Sequence, residues 1–154
     1  MTKQLAQNLK KLNLKLPEVS TPGGNYKSVN IRENIAYVAI QFPIHNETYL
    51  HLGRLGDEIT TDEGYKAMQL CALNVIAQIN KKIGFDNVIG LNHIDAYFQS
   101  ADHWDDSPKV VNGASDLFVN LLEEKGEHSR SIFGVYKLPR NFSVGLTASF
   151  TIKS

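Results

Sequence analysis

The sequence predicts an α+β domain in which helices cover one face of a sheet, and three observations carry that reading. Ser143 to Ile152 alternates strictly, with Val144, Leu146, Ala148, Phe150 and Ile152 on one side and Ser143, Gly145, Thr147, Ser149 and Thr151 on the other. Thr60 to Ile83 instead repeats its apolar residues at the helical period, through Tyr65, Met68, Ala72, Val75 or Ile76, Ile79 and Ile83. The chain has 154 residues, 42% of them hydrophobic, which suits a single domain spanning 1–154 with one core. The oily side of the sheet can take the helices. The small, polar side is unlike a second core layer.

Taken in order, Thr2 to Asn13 reads as a short amphipathic helix with Leu5, Leu9 and Leu12 on one face, so that residues 1–16 form an N-terminal helical extension. Leu16-Pro17 stops it, and Ser20 to Asn25 is a Pro/Gly loop. Tyr26 to Arg32 and Ile35 to Phe42 flank the turn Glu33-Asn34 and read as a hairpin. His45 to Asp57 is a polar loop with a short strand at Tyr49 to Leu52. Thr60 with Glu63 forms a capping box at the start of the long helix, and Lys81, Lys82 and Gly84 finish it. Leu70, Leu73 and Ala77 lie off its main stripe, so more than one side of it is covered. Asn87 to Gln99 is a strand with Val88, Ile94, Ala96 and Phe98 on one face and His93, Asp95 and Tyr97 on the other.

The stretch Val110 to Pro139 carries the most information. Asn112-Gly113 has turn chemistry, and the helix after it has Ser115 and Asp116 in its first turn and an apolar stripe of Leu117, Phe118, Leu121 and Leu122. Lys125-Gly126 is a helix stop with the glycine at a left-handed cap. Arg130 then opens a strand running to Lys137. An arginine at a strand start beside a Gly-rich turn is placed to fork onto a carboxylate with two parallel hydrogen bonds. The plain alternative is a surface arginine that pairs with Glu127 or Glu124.

Composition removes several function classes. Lys+Arg 16 balances Asp+Glu 16 with no block of like charge, which argues against a nucleic-acid surface and against a polybasic membrane anchor. No apolar run approaches a membrane span. The single cysteine, Cys71, excludes an internal disulfide and points to a reducing, cytoplasmic setting; within a helix pattern it is a small buried hydrophobe rather than a nucleophile. His45, His51, His93, His103 and His128 lack ligand spacing, so no metal site is expected. Gly53-Arg54-Leu55-Gly56 lacks the phosphate-loop fingerprint, and no GxSxG elbow is present. Local pattern alone leaves Arg130 as the one anion-binding candidate.

The order of motifs adds a family. Leu16-Pro17, Gly24-Asn25-Tyr26, YVAIQFP at Tyr37 to Pro43, Gly64 to Ala67 opening a helix that continues through Ala72 to Val75, VNGASDL, GEHSR and FGVYKLP follow one another from about Leu5 to Phe150. This succession resembles the Rid family of YjgF-type proteins, also labelled endoribonuclease L-PSP or translation inhibitor, and within it the chorismate-mutase-like subgroup. The resemblance implies a mixed, mainly antiparallel sheet with two main helices on one face. It also implies a homotrimer with a barrel-like centre and ligand clefts between subunits. Arg130 then corresponds to the arginine that clamps the substrate carboxylate, while Asn112 and Tyr26 line the same cleft. The implied chemistry is hydrolysis of imine and enamine intermediates to a keto acid and ammonia, with no metal or organic cofactor.

Two departures from the family pattern bear on that chemistry. Where deaminating members carry a water-positioning glutamate on the last strand, this chain has Gly145, with Thr147 at the strand's second acidic position. Where the family favours Ser-Gly-Gln-x-Pro, this chain has Ala39-Ile40-Gln41-Phe42-Pro43, so Ile40 puts a branched side chain against the ligand. A placed acid or base contributes typically ~10²–10⁴-fold to such a reaction. That contribution is expected to be missing unless Glu127 or His128 substitutes, leaving Arg130 as the catalytic group carried over. The expected binding residues are Arg130, Asn112, Tyr26, Gly145 and Ile40. Three functions compete: an imine or enamine deaminase of altered specificity, a non-catalytic trimeric binder of small carboxylates or of a protein, and, weakest for a neutral chain, an endoribonuclease.

Overall fold

A computed structural model describes residues 1–154. In chain order the elements are α1 (Lys3–Lys11), β1 (Val29–Arg32), β2 (Ile35–Gln41), β3 (Ile44–His45), β4 (Thr48–Tyr49), α2 (Thr61–Lys82), β5 (Val88–Phe98), α3 (Ser107–Leu122), β6 (Ser129–Gly134) and β7 (Val144–Ile152). Five strands form one sheet in the order β1-β2-β7-β5-β6, and β3 and β4 pair separately as a two-stranded ribbon. Only β5 and β6 run parallel, joined by α3 as a crossover. The other ladders are antiparallel. The architecture is the mixed α+β arrangement that the sequence predicts, with the last strand at the centre.

The reason for each element is local and then confirmed by packing. Thr60 caps α2, its hydroxyl accepting from the Glu63 N–H at 3.1 Å, and Gly84 takes a positive φ of 87° just after the helix ends. Apolar residues recurring at the helical period bury α2 against the sheet, and Leu73 and Ala77 bury its flank as well. Val144, Leu146, Ala148, Phe150 and Ile152 of β7 all turn to the helix side and join a core of 30 residues that includes Leu5 and Leu9 of α1. Leu12, expected on that face, closes α1 as its C-cap and is 40% exposed. Cys71 is fully buried, and burial pushes its thiol well above the ordinary value. No helix is long and apolar enough to cross a membrane.

Several expectations fail, each for a physical reason. Asn112-Gly113 is not a turn: α3 begins at Ser107 with Pro108 in its first turn and runs straight through both residues. Gly113 serves packing instead, because a Cβ there would stand 2.1 Å from the Tyr65 carbonyl oxygen of α2. Gly126 is likewise a contact glycine, its Cβ position lying 2.1 Å from the Phe118 carbonyl oxygen, and the left-handed residue that ends α3 is Glu123, φ 58°. The loop ribbon forms at Ile44–His45 and Thr48–Tyr49 rather than at Tyr49 to Leu52. β6 stops at Gly134, and the first hairpin strand starts at Val29. In β5 two register shifts, between Val88 and Gly90 and between Leu91 and His93, bury Leu91 out of phase with a simple alternation.

The uncovered face is also more aromatic than β7 alone suggests. Cross-strand register sets Tyr97, Phe133 and Gly145 in one row, Asp95, Ser131 and Thr147 in the next, and His93, Ser129, Ser149 and Tyr37 in a third. Tyr97 stacks on Phe133 at 5.4 Å, and Tyr37 and Phe133 are 51% and 45% exposed.

Candidate functional site

Alternation along β6 turns Arg130 and Ile132 to the helix side, opposite Ile94 and Ala96 of β5. There Arg130 meets the face of α3 that carries Asn112 and Ser115, three residues apart on one side of the helix. Its Nη1 donates to Asn112 Oδ1 at 2.9 Å and to Ser115 Oγ at 3.1 Å. Neither Glu124 nor Glu127 pairs with it; carboxylates lie within 4.0 Å of a basic nitrogen only at Lys109–Asp106 and in the His93–Asp95 hydrogen bond. The Nε–Nη2 edge of the guanidinium bonds to no protein group and is the edge that can grip a carboxylate bidentately.

Behind Arg130 the network continues. Ser115 Oγ lies 2.9 Å from His128 Nε2, and His128 Nδ1 lies 2.6 Å from the Gly126 carbonyl oxygen. A carbonyl only accepts, so Nδ1 carries a hydrogen, and with that tautomer of the neutral imidazole Nε2 is the acceptor. Ser115 therefore donates to His128 and accepts from Arg130. The edge of Phe118 holds the ring in place at 5.8 Å between centroids. Next along α3, Asp116 accepts from the Tyr65 hydroxyl at 2.7 Å, and this bond raises the Tyr65 pKa.

A second region lies elsewhere. Tyr26 and Ile40 line a cleft of about 520 Å³ together with Phe42, Tyr49, Asn74, Arg140 and Phe142. Phe42 stacks on Phe142 at 4.6 Å, and Asn74 fixes the strand exit by donating to the Phe42 and Ile44 carbonyls. Gly145 backs onto this cleft: a Cβ there would stand 2.8 Å from Ile40 Cδ1 and 3.0 Å from Phe42 Cε1. Ile40 occupies the space a side chain at Gly145 would need. The turn that brings Arg140 to the cleft holds two successive non-glycine residues at positive φ, Arg140 at 55° and Asn141 at 62°. Buried Gln99 pins that turn, donating to Asn141 Oδ1 and the Gly53 carbonyl and accepting from the Leu138 N–H.

The five predicted residues thus fall into two groups. Arg130 and Asn112 touch; Ile40 and Gly145 touch, and Tyr26 shares their cleft. The groups do not meet within the chain, because Arg130 sits on the helix side of edge strand β6 and Gly145 faces the other way, two strands across the sheet. A single-chain cleft holding all five does not exist. No three His, Cys, Asp or Glu side chains gather closely enough to hold a metal ion.

A family model described as "YjgF/chorismate mutase-like, putative endoribonuclease" matches residues 7–151. The chain belongs to this family. Protein TCP17 of Trypanosoma cruzi is 33% identical over 147 residues, covering 94% of this chain and 92% of its own. A Shewanella oneidensis structure carrying the same endoribonuclease description superposes with a TM-score of 0.92 at 30% identity, over 96% of this chain and 98% of that one. An Agrobacterium tumefaciens structure of unknown function gives 0.91 at 28% identity, covering 97% and 93%. For this YjgF-family chain, sequence reasoning left out Ser115 as a partner of Arg130, and it gave Arg140, Asn74 and Gln99 no part in the site. Ser115 was hidden by placing it in a first helical turn, whereas it stands mid-helix and faces the strand.

Proposed function

We propose that this YjgF-family protein assembles as a homotrimer and binds small carboxylate-containing metabolites in clefts between subunits. The observation that carries this reading is the guanidinium of Arg130, tied back through Nη1 alone with its Nε–Nη2 edge free. The separation of Arg130 and Asn112 from Tyr26, Ile40 and Gly145 within one protomer favours a cleft shared by two copies. So does the aromatic face of Tyr37, Tyr97 and Phe133, which a closed cyclic assembly would cover. The bound metabolite is a keto acid or its imine. In the imine, water adds to the iminium carbon and the carbinolamine expels ammonia, leaving the keto acid. This chain carries out that step weakly, because Gly145 supplies no carboxylate and Ile40 fills the place of one.

A second reading, a binding protein without turnover, is favoured by that same Ile40 plug. The family description also names endoribonucleases, but a chain with 16 basic and 16 acidic residues has no net positive charge to favour RNA. Light scattering at micromolar concentration should give about three times the 17.2 kDa chain mass; a monomer at every concentration would remove the shared cleft. Ammonia release from freshly generated amino-acid imines, with Arg130→Ala beside the wild type, then separates deaminase from binder. Measurable release that depends on Arg130 supports turnover; benzoate binding without release supports the second reading.

A further inference from the structure

We infer that Ser115 and His128 are positioning residues that set the aim of Arg130, with Asn112 as the second anchor; this rests on the reading of Arg130 as the carboxylate clamp. The directions of the hydrogen bonds make the argument. Gly126 offers a carbonyl oxygen 2.6 Å from His128 Nδ1, so that nitrogen donates, and in the neutral imidazole this leaves Nε2 as the acceptor. The Ser115 proton is thereby drawn to His128, which leaves the Ser115 lone pairs directed at Arg130 Nη1. Asn112 Oδ1 takes the other Nη1 hydrogen. Two acceptors on one nitrogen lock rotation about the end of a long, flexible side chain. Neither acceptor occupies the edge that a carboxylate needs.

Each part of the relay comes from a different piece of the chain. Ser115 is on α3, His128 and Arg130 enter β6, and the sharp return at Glu123 to Gly126 brings them together. Close approach of Gly126 to the Phe118 carbonyl sets the height of the Gly126 carbonyl, and through it the ring of His128. Ser115 stands behind the guanidinium and not beside its free edge. It touches Arg130, not the ligand.

Benzoate serves as the probe, titrated by NMR into wild type, Ser115→Ala, Ser115→Thr, His128→Phe and Arg130→Ala, and into Arg130→Ala combined with Ser115→Ala. Releasing a long side chain that was held in place weakens binding by the entropy of re-ordering it, so Ser115→Ala should lose roughly 3- to 10-fold in affinity. His128→Phe keeps the packing on Phe118 and should lose the same factor. Ser115→Thr keeps the hydroxyl and should restore most of it. In the Arg130→Ala background, Ser115→Ala should change nothing further, which a general loss of folding would not reproduce. Wild-type affinity for Ser115→Ala beside a weakened Arg130→Ala overturns the positioning role and leaves the clamp standing. An undiminished Ser115→Ala effect without Arg130 overturns it too. Benzoate binding that ignores Arg130→Ala removes the clamp itself, and the inference with it.

Discussion

Two regions of the molecule that the sequence assigns to one cleft are built in opposite ways. Around Arg130 everything is polar and directional: three hydrogen bonds run in series from Gly126 through His128 and Ser115 to the guanidinium, and Asn112 adds a fourth. Against Gly145 the nearest atoms are hydrocarbon, with Ile40 and Phe42 packed into the space where a side chain would stand. Gripping a carboxylate needs a fixed cation with a free edge. Directing water needs a carboxylate with room beside it. The first requirement is met here and the second is filled in, so on the proposed reading binding and turnover come apart.

The largest expected effect tests that contrast at the filled end. Gly145→Glu combined with Ile40→Gly should raise imine hydrolysis toward the general acid–base range of ~10²–10⁴-fold. Gly145→Glu alone should gain far less, since its Cβ would meet Ile40 at 2.8 Å. Stopped-flow ammonia assays on the two variants check this. A folded, ligand-binding double variant without any gain would show that more than one catalytic group is absent.

Next in size is the clamp. Arg130→Ala should lose roughly 1.5–3 kcal/mol of affinity for benzoate, the range for hydrogen bonds to charged groups. Arg130→Lys should recover only part, because an ammonium cannot present two parallel donors. Three superimposable titration curves would make Arg130 a bystander.

A smaller effect should follow from the packing that supports the polar region. Gly113→Ala forces a methyl toward the Tyr65 carbonyl at 2.1 Å, so α2 and α3 must part or shift. Overpacking of this kind costs typically about 1–3 kcal/mol. Denaturant midpoints measure it, and an unchanged midpoint would mean that the helices slide past each other freely.

The smallest expected effect lies outside both regions and serves as their pH reference. Burial holds the His51 pKa below its ordinary 6.5. The unfolded chain therefore takes up this proton first, and stability is lost as pH falls through about 6.5 toward the lower folded value. His51 sits at φ 54°, which asparagine tolerates. His51→Asn should reduce the drop in melting temperature between about pH 8 and about pH 5. An identical drop in both proteins would place the titration elsewhere.

The sheet, α2 and the family were legible because their signals are periodic or ordered along the chain. β7 alternates for nine residues, and Thr60 with Glu63 marks the start of α2 within one turn. The misreadings share a cause. Asn112-Gly113 and Gly126 look like turns in a list of residues, yet both glycines are demanded by a neighbouring backbone 2.1 Å from a notional Cβ, which only the assembled fold contains. Arg130 could be singled out, but its partner Ser115 could not, since their contact needs α3 to run through Gly113 and the chain to return past Glu123. Gly145 and Ile40 were each legible as departures. That one fills the other's space was not, because they lie on different strands, 105 positions apart in the chain.

The place of β7 in the sheet has a consequence for how the chain is made. β7 follows every other element in sequence, yet it is the third of five strands in space, and both β2 and β5 pair with it. A nascent chain that has emerged only as far as Ser143 holds two fragments of sheet, β1–β2 and β5–β6, with an unfilled seam between them. The seam exposes two open strand edges and the apolar faces of both helices, the kind of surface that recruits chaperones and seeds aggregation. Completion of the fold therefore depends on long-range pairing, and the strand that closes the seam is the one that carries Gly145.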